Sequence, residues 1–253
     1  MGPVRRAGVA VGGTAAVLVA AACLRPALTA VGPVLGLIGA DTGLSNTMLG
    51  VVSALPLLAF AAVSPLVSGP ARRFGIERTV VWALAVLAAG ALLRLLPGLP
   101  ALVAGTLAAG AGIAVGNVLI PVVVRRDHPA RVALMTGLYS ATLGTAAALA
   151  SGVWLPLAHL PGGWRWSLGV WAVPAAAAAV VWSRRPRTVE TVPPAAPPAA
   201  GAVWRSGVAW RLTAVMGLQS TTFYVLVAWL PSIATSHGAS AGRGRAGGGR
   251  VAA

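Results

Sequence analysis

The chain has 253 residues, of which 57% are hydrophobic and 9% charged, and its mean hydropathy is +0.84. A soluble domain carries roughly 25% charged residues, so a folded unit with an ordinary water-facing surface is excluded. The net charge of +15 comes from 19 basic residues, all arginine, against four acidic ones; divided among short clusters between apolar runs, this charge reads as membrane topology rather than nucleic-acid binding.

A helix needs about 20 mainly apolar residues to cross a hydrocarbon core of about 30 Å. The runs that meet this need predict spans at Val9 to Val31, Met48 to Val67, Thr79 to Leu96, Leu102 to Val122, Val132 to Leu155, Ser167 to Val181 and Leu212 to Leu230. Their length and continuity predict an all-α, polytopic helical membrane protein, since barrel strands would be short and would alternate apolar with polar residues.

Arg5 and Arg6 precede the first run as they would a signal peptide. The run continues past the usual length without a small-residue cleavage site, and it is read as a retained helix. Arg25 lies inside it. An arginine at mid-membrane costs on the order of 2.5–3.5 kcal/mol on insertion scales, so such residues face cavities or partners. Asp41, Glu77, Asp127 and Glu190 all fall in predicted loops or at helix ends. The guanidinium is therefore a candidate receptor for a small planar anion, which can accept two parallel hydrogen bonds from it; snorkelling toward the outer interface is the alternative.

The later arginines set orientation. Arg5, Arg6, Arg72, Arg73, Arg78, Arg125, Arg126, Arg131, Arg184, Arg185, Arg187, Arg205 and Arg211 fall on one side of the predicted spans, and Arg94 and Arg165 on the other. Excess positive charge marks cytoplasmic loops, which predicts a multi-pass protein of the plasma (inner) membrane with its N-terminus in the cytoplasm. Arg94 is expected to snorkel from the outer end of span three. Trp154, Trp164 and Trp166 are expected to form an outer interfacial belt and Trp82, Trp182, Trp204 and Trp210 an inner one; a stacking role for Trp166 or Trp171 is the alternative.

Within span four, Gly105, Gly110, Gly112 and Gly116 predict close helix packing, as do Gly137, Ala141, Gly144 and Ala148 in span five. Prolines 26, 33, 56, 65, 121 and 174 are expected to bend or end helices. The chain divides into a six-helix bundle (1–182), a Pro-rich cytoplasmic linker (183–209), a seventh helix (210–232) and a non-helical Gly/Arg-rich tail (233–253). Six helices and a long loop are the plan of half a twelve-helix transporter. The abrupt change of composition near Ser240 resembles the out-of-frame end of a longer gene, with a natural tail as the alternative.

Other chemistry is sparse. Cys23 is the single cysteine, so no internal disulfide is expected. His128, His159 and His237 lack metal-ligand spacing; no catalytic residue, metal or cofactor is expected, and the chain is read as no enzyme.

Leu24-Arg25-Pro26-Ala27-Leu28-Thr29 with Gly32-Pro33, and Ala71-Arg72-Arg73-Phe74-Gly75-Ile76-Glu77-Arg78, resemble the cyanate and nitroimidazole transporter family of the major facilitator superfamily. Gly116 to Pro121, Gly163-Trp164-Arg165-Trp166, Met216 to Ser220, Phe223-Tyr224 and Trp229-Leu230-Pro231 agree in the same order. The resemblance implies alternating access between two helical bundles, moving a small and plausibly anionic, cyanate-like solute across the lipid bilayer. It adds Asn117, Tyr139, Gln219 and Tyr224 to Arg25 as solute contacts; without it, each is an ordinary interhelical hydrogen-bond former.

The superfamily's general signature after span two has an Asp-Arg-x-Gly core that gates the inner side. Here Arg72 occupies the Asp place while Arg73 and Gly75 match, so Glu77 is the candidate for the missing negative charge, with Arg78 beside it. A basic turn that only sets topology is the alternative. Under the transporter reading the chain as given is expected not to transport alone. An inactive remnant, or a scaffold completed by a partner, is the rival, and the oligomeric state is open.

Overall fold

The computed structural model describes residues 3–29, 31–158, 163–185 and 205–236. They form α1 (Pro3–Thr29), α2 (Val31–Thr42), α3 (Asn46–Val63), α4 (Ser68–Phe74), α5 (Ile76–Leu93), α6 (Leu99–Asp127), α7 (Val132–Ala158), α8 (Gly163–Gly169), α9 (Ala172–Ser183) and α10 (Gly207–Ser236), with single 3-10 turns at Ser64–Leu66 and Pro129–Arg131. No strand occurs among the described residues. The chain separates into two compact units, Met1–Pro194 and Ala195–Ala253.

Five segments in the first unit are long and apolar enough to cross a membrane: Asn46–Leu66, Ile76–Leu93, Leu99–Asp127, Pro129–Trp154 and Gly163–Ser183. The predicted first span, Val9 to Val31, covers only the first arm of a bent pair: 13–29 and 34–42 meet at 49° and together make a sixth span. Pro33, in the first turn of α2, has no N–H to give Thr29, the last residue of α1, so the helix cannot continue its hydrogen-bond ladder there. Pro26, Pro56 and Pro121 lie inside continuous helices, and α6 runs past the predicted end at Val122 to Asp127. Pro174 separates α8 from α9: the Val170 carbonyl, which Pro174 cannot reach with an N–H, accepts from Val173 at 3.2 Å instead.

α5 packs on α6 and α9, α1 on α7, α6 and α9, and α3 on α6. The glycines of α6 serve three neighbours rather than one face. A Cβ on Gly105 or Gly112 would lie 2.6 Å from Gly90 O or 2.4 Å from Ala83 O of α5, one on Gly110 would meet α3 at Ala59, and one on Gly116 would meet Leu24 of α1. The α7 stripe differs from the packing expectation: a Cβ on Gly137 or Gly144 has nothing within 4 Å. Leu58, Leu66, Leu149 and Val173 are exposed, the outward apolar surface that lipid requires.

Two buried clusters fill the unit. One joins Val17, Leu24, Leu84, Leu87, Ile113, Ile120, Tyr139 and Trp182; the other, toward the end that carries Asp41, joins Val34, Ile38, Leu102, Trp154, Trp164 and Leu168. The belt expectation is corrected here for Trp154, Trp164 and Trp182, which are buried, whereas Trp82, Trp166 and Trp210 are exposed.

The second unit contributes α10, a continuous helix that contains the predicted seventh span. Of the predicted linker, 186–204 lies outside the described residues, as do Trp204, His159, His237 and the tail from 237 onward.

Candidate functional site

Arg25 sits on α1 one residue after Leu24, and Leu24 packs against Gly116 of α6: a Cβ at Gly116 would be 2.8 Å from Leu24 Cδ2. The missing side chain at Gly116 lets α1 and α6 approach at the residues that directly precede Arg25 and Asn117. Tyr139 of α7 is buried and donates its phenol proton to Asn117 Oδ1 at 3.1 Å. Arg25 is half-buried and interacts electrostatically with Tyr139. Thr29 closes this turn of α1 by donating its hydroxyl to the Arg25 carbonyl at 3.2 Å.

Three of the five predicted solute contacts thus come together from three helices. Gln219 is exposed on α10 in the second unit, and the side chain of Tyr224 lies outside the described residues. Chemically, the first-unit group combines a guanidinium with the amide of Asn117, whose oxygen Tyr139 already uses. That set suits a planar acceptor.

The predicted gating loop occupies the opposite, basic end. Gly75 joins α4 to α5 at φ 86°, ψ 154°, a left-handed backbone that favours glycine. Arg72, Arg73 and Arg78 are exposed, with Arg73 stacked 5.1 Å from the Phe74 ring centroid. Glu77 is buried in the first turn of α5, where a carboxylate also complements the helix dipole. Its Oε1 accepts from Arg126 Nη2 and its Oε2 accepts from Trp182 Nε1 at 2.9 Å.

Arg126 also donates to Asp127 at 2.7 Å through Nε, and Arg185 donates to the other Asp127 oxygen and lies 4.0 Å from Glu77 Oε2. The Arg185 guanidinium covers the Trp182 ring at 4.6 Å. Thr14 of α1 joins this end through His128 at 3.3 Å. The network ties α1, α5, α6 and α9 together.

Sequence reasoning named Glu77 but not its partners. Arg126 and Trp182 are 49 and 105 residues away, and no spacing rule spans such distances. Arg94 corrects a second expectation: it is 1% exposed rather than snorkelling, because its stem lies along Gly105, where a Cβ would be 2.9 Å from Arg94 Cγ. At the Asp41 end, Arg165 donates to Asp41 at 2.7 Å and Trp164 Nε1 at 3.2 Å. No group of three or more metal-ligating side chains forms among the described residues.

A family model described as the Major Facilitator Superfamily matches residues 17–252. The chain is 40% identical over 228 residues to the 2-nitroimidazole transporter of Escherichia coli (strain K12), covering 89% of this chain and 58% of that protein. It is 41% identical over 216 residues to the uncharacterized transporter YycB of Bacillus subtilis (strain 168), covering 85% and 54%, and 30% identical over 220 residues to the E. coli cyanate transport protein CynX, covering 86% and 57%. The chain spans a little over half the length of these relatives.

The fold is similar to the inward-open xylose transporter XylE from E. coli, with a TM-score of 0.63 at 15% identity over 89% of this chain and 56% of that one. The helical plan, the loop signature and the similarity to nitroimidazole and cyanate transporters agree with one another. This multi-pass helical membrane chain belongs to the Major Facilitator Superfamily.

Proposed function

We propose that the chain takes part in moving a small, planar, anionic solute of the cyanate type across the inner membrane by alternating access. In this proposal Arg25 supplies the charge, and Asn117 and Tyr139 fix the solute's orientation. The observation that carries the reading is the Tyr139–Asn117 hydrogen bond in a buried position beside Arg25. A membrane interior makes such polar groups costly unless they serve packing or binding, and an asparagine amide can donate two N–H groups to an acceptor.

Gln219 and Tyr224 are proposed solute contacts of the second unit, supported by resemblance alone. The Glu77 network is the proposed inner gate, with Gly75 allowing the turn and Arg72, Arg73 and Arg78 on the cytoplasmic face. The arginine distribution supports a cytoplasmic N-terminus in this proposal.

The test is saturable binding of labelled cyanate to the chain reconstituted in liposomes. Arg25→Gln should weaken it at least about tenfold, the loss expected for a charge-assisted bidentate contact. Equal binding by the Arg25→Gln chain, or no saturable binding by the unmodified chain, sinks the proposal.

A further inference from the structure

Arg94 closes α5 with a guanidinium buried at 1% exposure, and its Nε and Nη2 have no hydrogen-bond partner. These two nitrogens share one edge of the guanidinium, and their N–H bonds run parallel. That edge grips carboxylates and planar oxyanions side-on. The C-terminal end of α5 favours a cation, but it leaves this fork empty.

Thr106 lies next to Gly105, the residue over which the Arg94 stem runs. It is fully buried and its Oγ1 also lacks a partner. Some helical threonines of the bundle bond back to the carbonyl four residues earlier, as Thr29 does to Arg25, Thr42 to Ile38 and Thr79 to Gly75. Thr106 does not, so its hydroxyl is available to a ligand. One turn earlier on α6, Leu102 packs in the cluster that holds Trp154, with Trp171 against it, and both indole Nε1 atoms are buried without partners.

Unpartnered atoms at this end are therefore mostly donors, and one is a full positive charge. The acids cannot balance it. Asp41 is bound by Arg165 and Trp164, Glu77 and Asp127 belong to the network at the other end, and Glu190 lies outside the described residues. Water can satisfy a hydroxyl or an indole, but it brings no negative charge to a buried guanidinium, which is costly to leave unpaired.

We propose that Arg94 and Thr106 form a buried site for a small planar anion of the nitrate or carboxylate type, gripped side-on by the Nε–Nη2 edge. The site lies on α5 and α6, away from the Asp127 end, and is independent of the Arg25 proposal.

The purified chain in detergent is unfolded thermally in sodium nitrate and in sodium chloride, whose spherical anion cannot bridge the fork, at equal sodium concentration. The unmodified chain and Arg25→Gln should show a saturable rise in midpoint with nitrate, and adding Arg94→Gln to the Arg25→Gln chain should abolish it. Thr106→Val should raise the half-saturating nitrate concentration about tenfold, the loss of one hydrogen bond to an anion. If Arg94→Gln does not fold, Arg94→Lys keeps the charge without the parallel fork and should lose the preference for nitrate over chloride.

A nitrate response that survives when Arg25→Gln and Arg94→Gln are combined, an Arg94→Lys change in the Arg25→Gln chain that keeps the preference, or equal midpoints of the unmodified chain in both salts overturns the site. A response lost in Arg25→Gln but kept in Arg94→Gln moves the anion to Arg25, which overturns this site and leaves the proposed function standing.

Discussion

The Trp182 indole donates to Glu77 Oε2 at 2.9 Å across the α5–α9 contact, while Arg126 of α6 holds the other oxygen of the same carboxylate. One buried carboxylate therefore joins three helices at their basic ends. Glu77→Gln keeps the shape but removes the charge that faces Arg126 and Arg185. The expected loss is about 2–3 kcal/mol, below the range for a fully buried pair because Arg126 is partly exposed. Trp182→Phe should cost about 1 kcal/mol through the lost hydrogen bond. The double variant should lose less than the sum, since both act on one carboxylate. Thermal unfolding in detergent measures all three; a midpoint for Glu77→Gln within a degree of the unmodified chain refutes the central role given to Glu77.

Gly112 and Gly144 separate two kinds of glycine. A methyl at Gly112 would stand 2.4 Å from Ala83 O and 2.9 Å from Leu87 N, and backbone cannot yield as a side chain can. Gly112→Ala should cost about 1–3 kcal/mol, the range for overpacking. At Gly144 nothing lies within 4 Å, so Gly144→Ala should be neutral or stabilise by about 0.5–1 kcal/mol through helix propensity. Urea or thermal unfolding of the two variants in parallel decides the matter, and equal effects contradict the packing assigned to α6.

Gly116 sets the distance between Arg25 and Asn117 through Leu24. Gly116→Ala would press a methyl onto Leu24 Cδ2 at 2.8 Å and Cδ1 at 3.0 Å, moving α1 against α6. It should weaken cyanate binding about tenfold, since small displacements of a positioned contact are costly. Leu24→Ala removes the obstructing atoms and should restore most of the binding in the double variant. Failure of that rescue means that the contact does not position Arg25.

Tyr139→Phe deletes the donor to Asn117 and leaves the ring in place. The expected change is about fivefold weaker cyanate binding with the unfolding midpoint nearly unchanged, because Asn117 keeps other donors and acceptors. Asn117→Ala should lose at least as much, and the double variant should add little to it. Independent, additive losses measured by binding isotherms would separate the two residues.

Much of this was legible before any coordinates. Apolar runs of span length specify helices because lipid offers no partner for a backbone N–H or carbonyl, so the five long spans and the divided first one follow from composition. Gly75 was legible from its motif place, and Arg25 from its position in an uncharged run. The break at Pro33 was implied by a missing N–H, but nothing local distinguished it from Pro26, Pro56 and Pro121, which continuous helices accommodate.

Tertiary structure alone decided the partners. Glu77 finds Trp182 across 105 residues and Tyr139 finds Asn117 across 22, and the directions in which α6 turns its glycines exist only once its neighbours are in place. Arg94 is the clearest case. From the sequence it is a charged residue near a helix end, able to reach water; in the bundle, Gly90 and Gly105 draw α5 and α6 so close that its side chain is enclosed. Hydropathy determines which segments enter the membrane, whereas the fate of each charge depends on close packing between helices far apart in the chain.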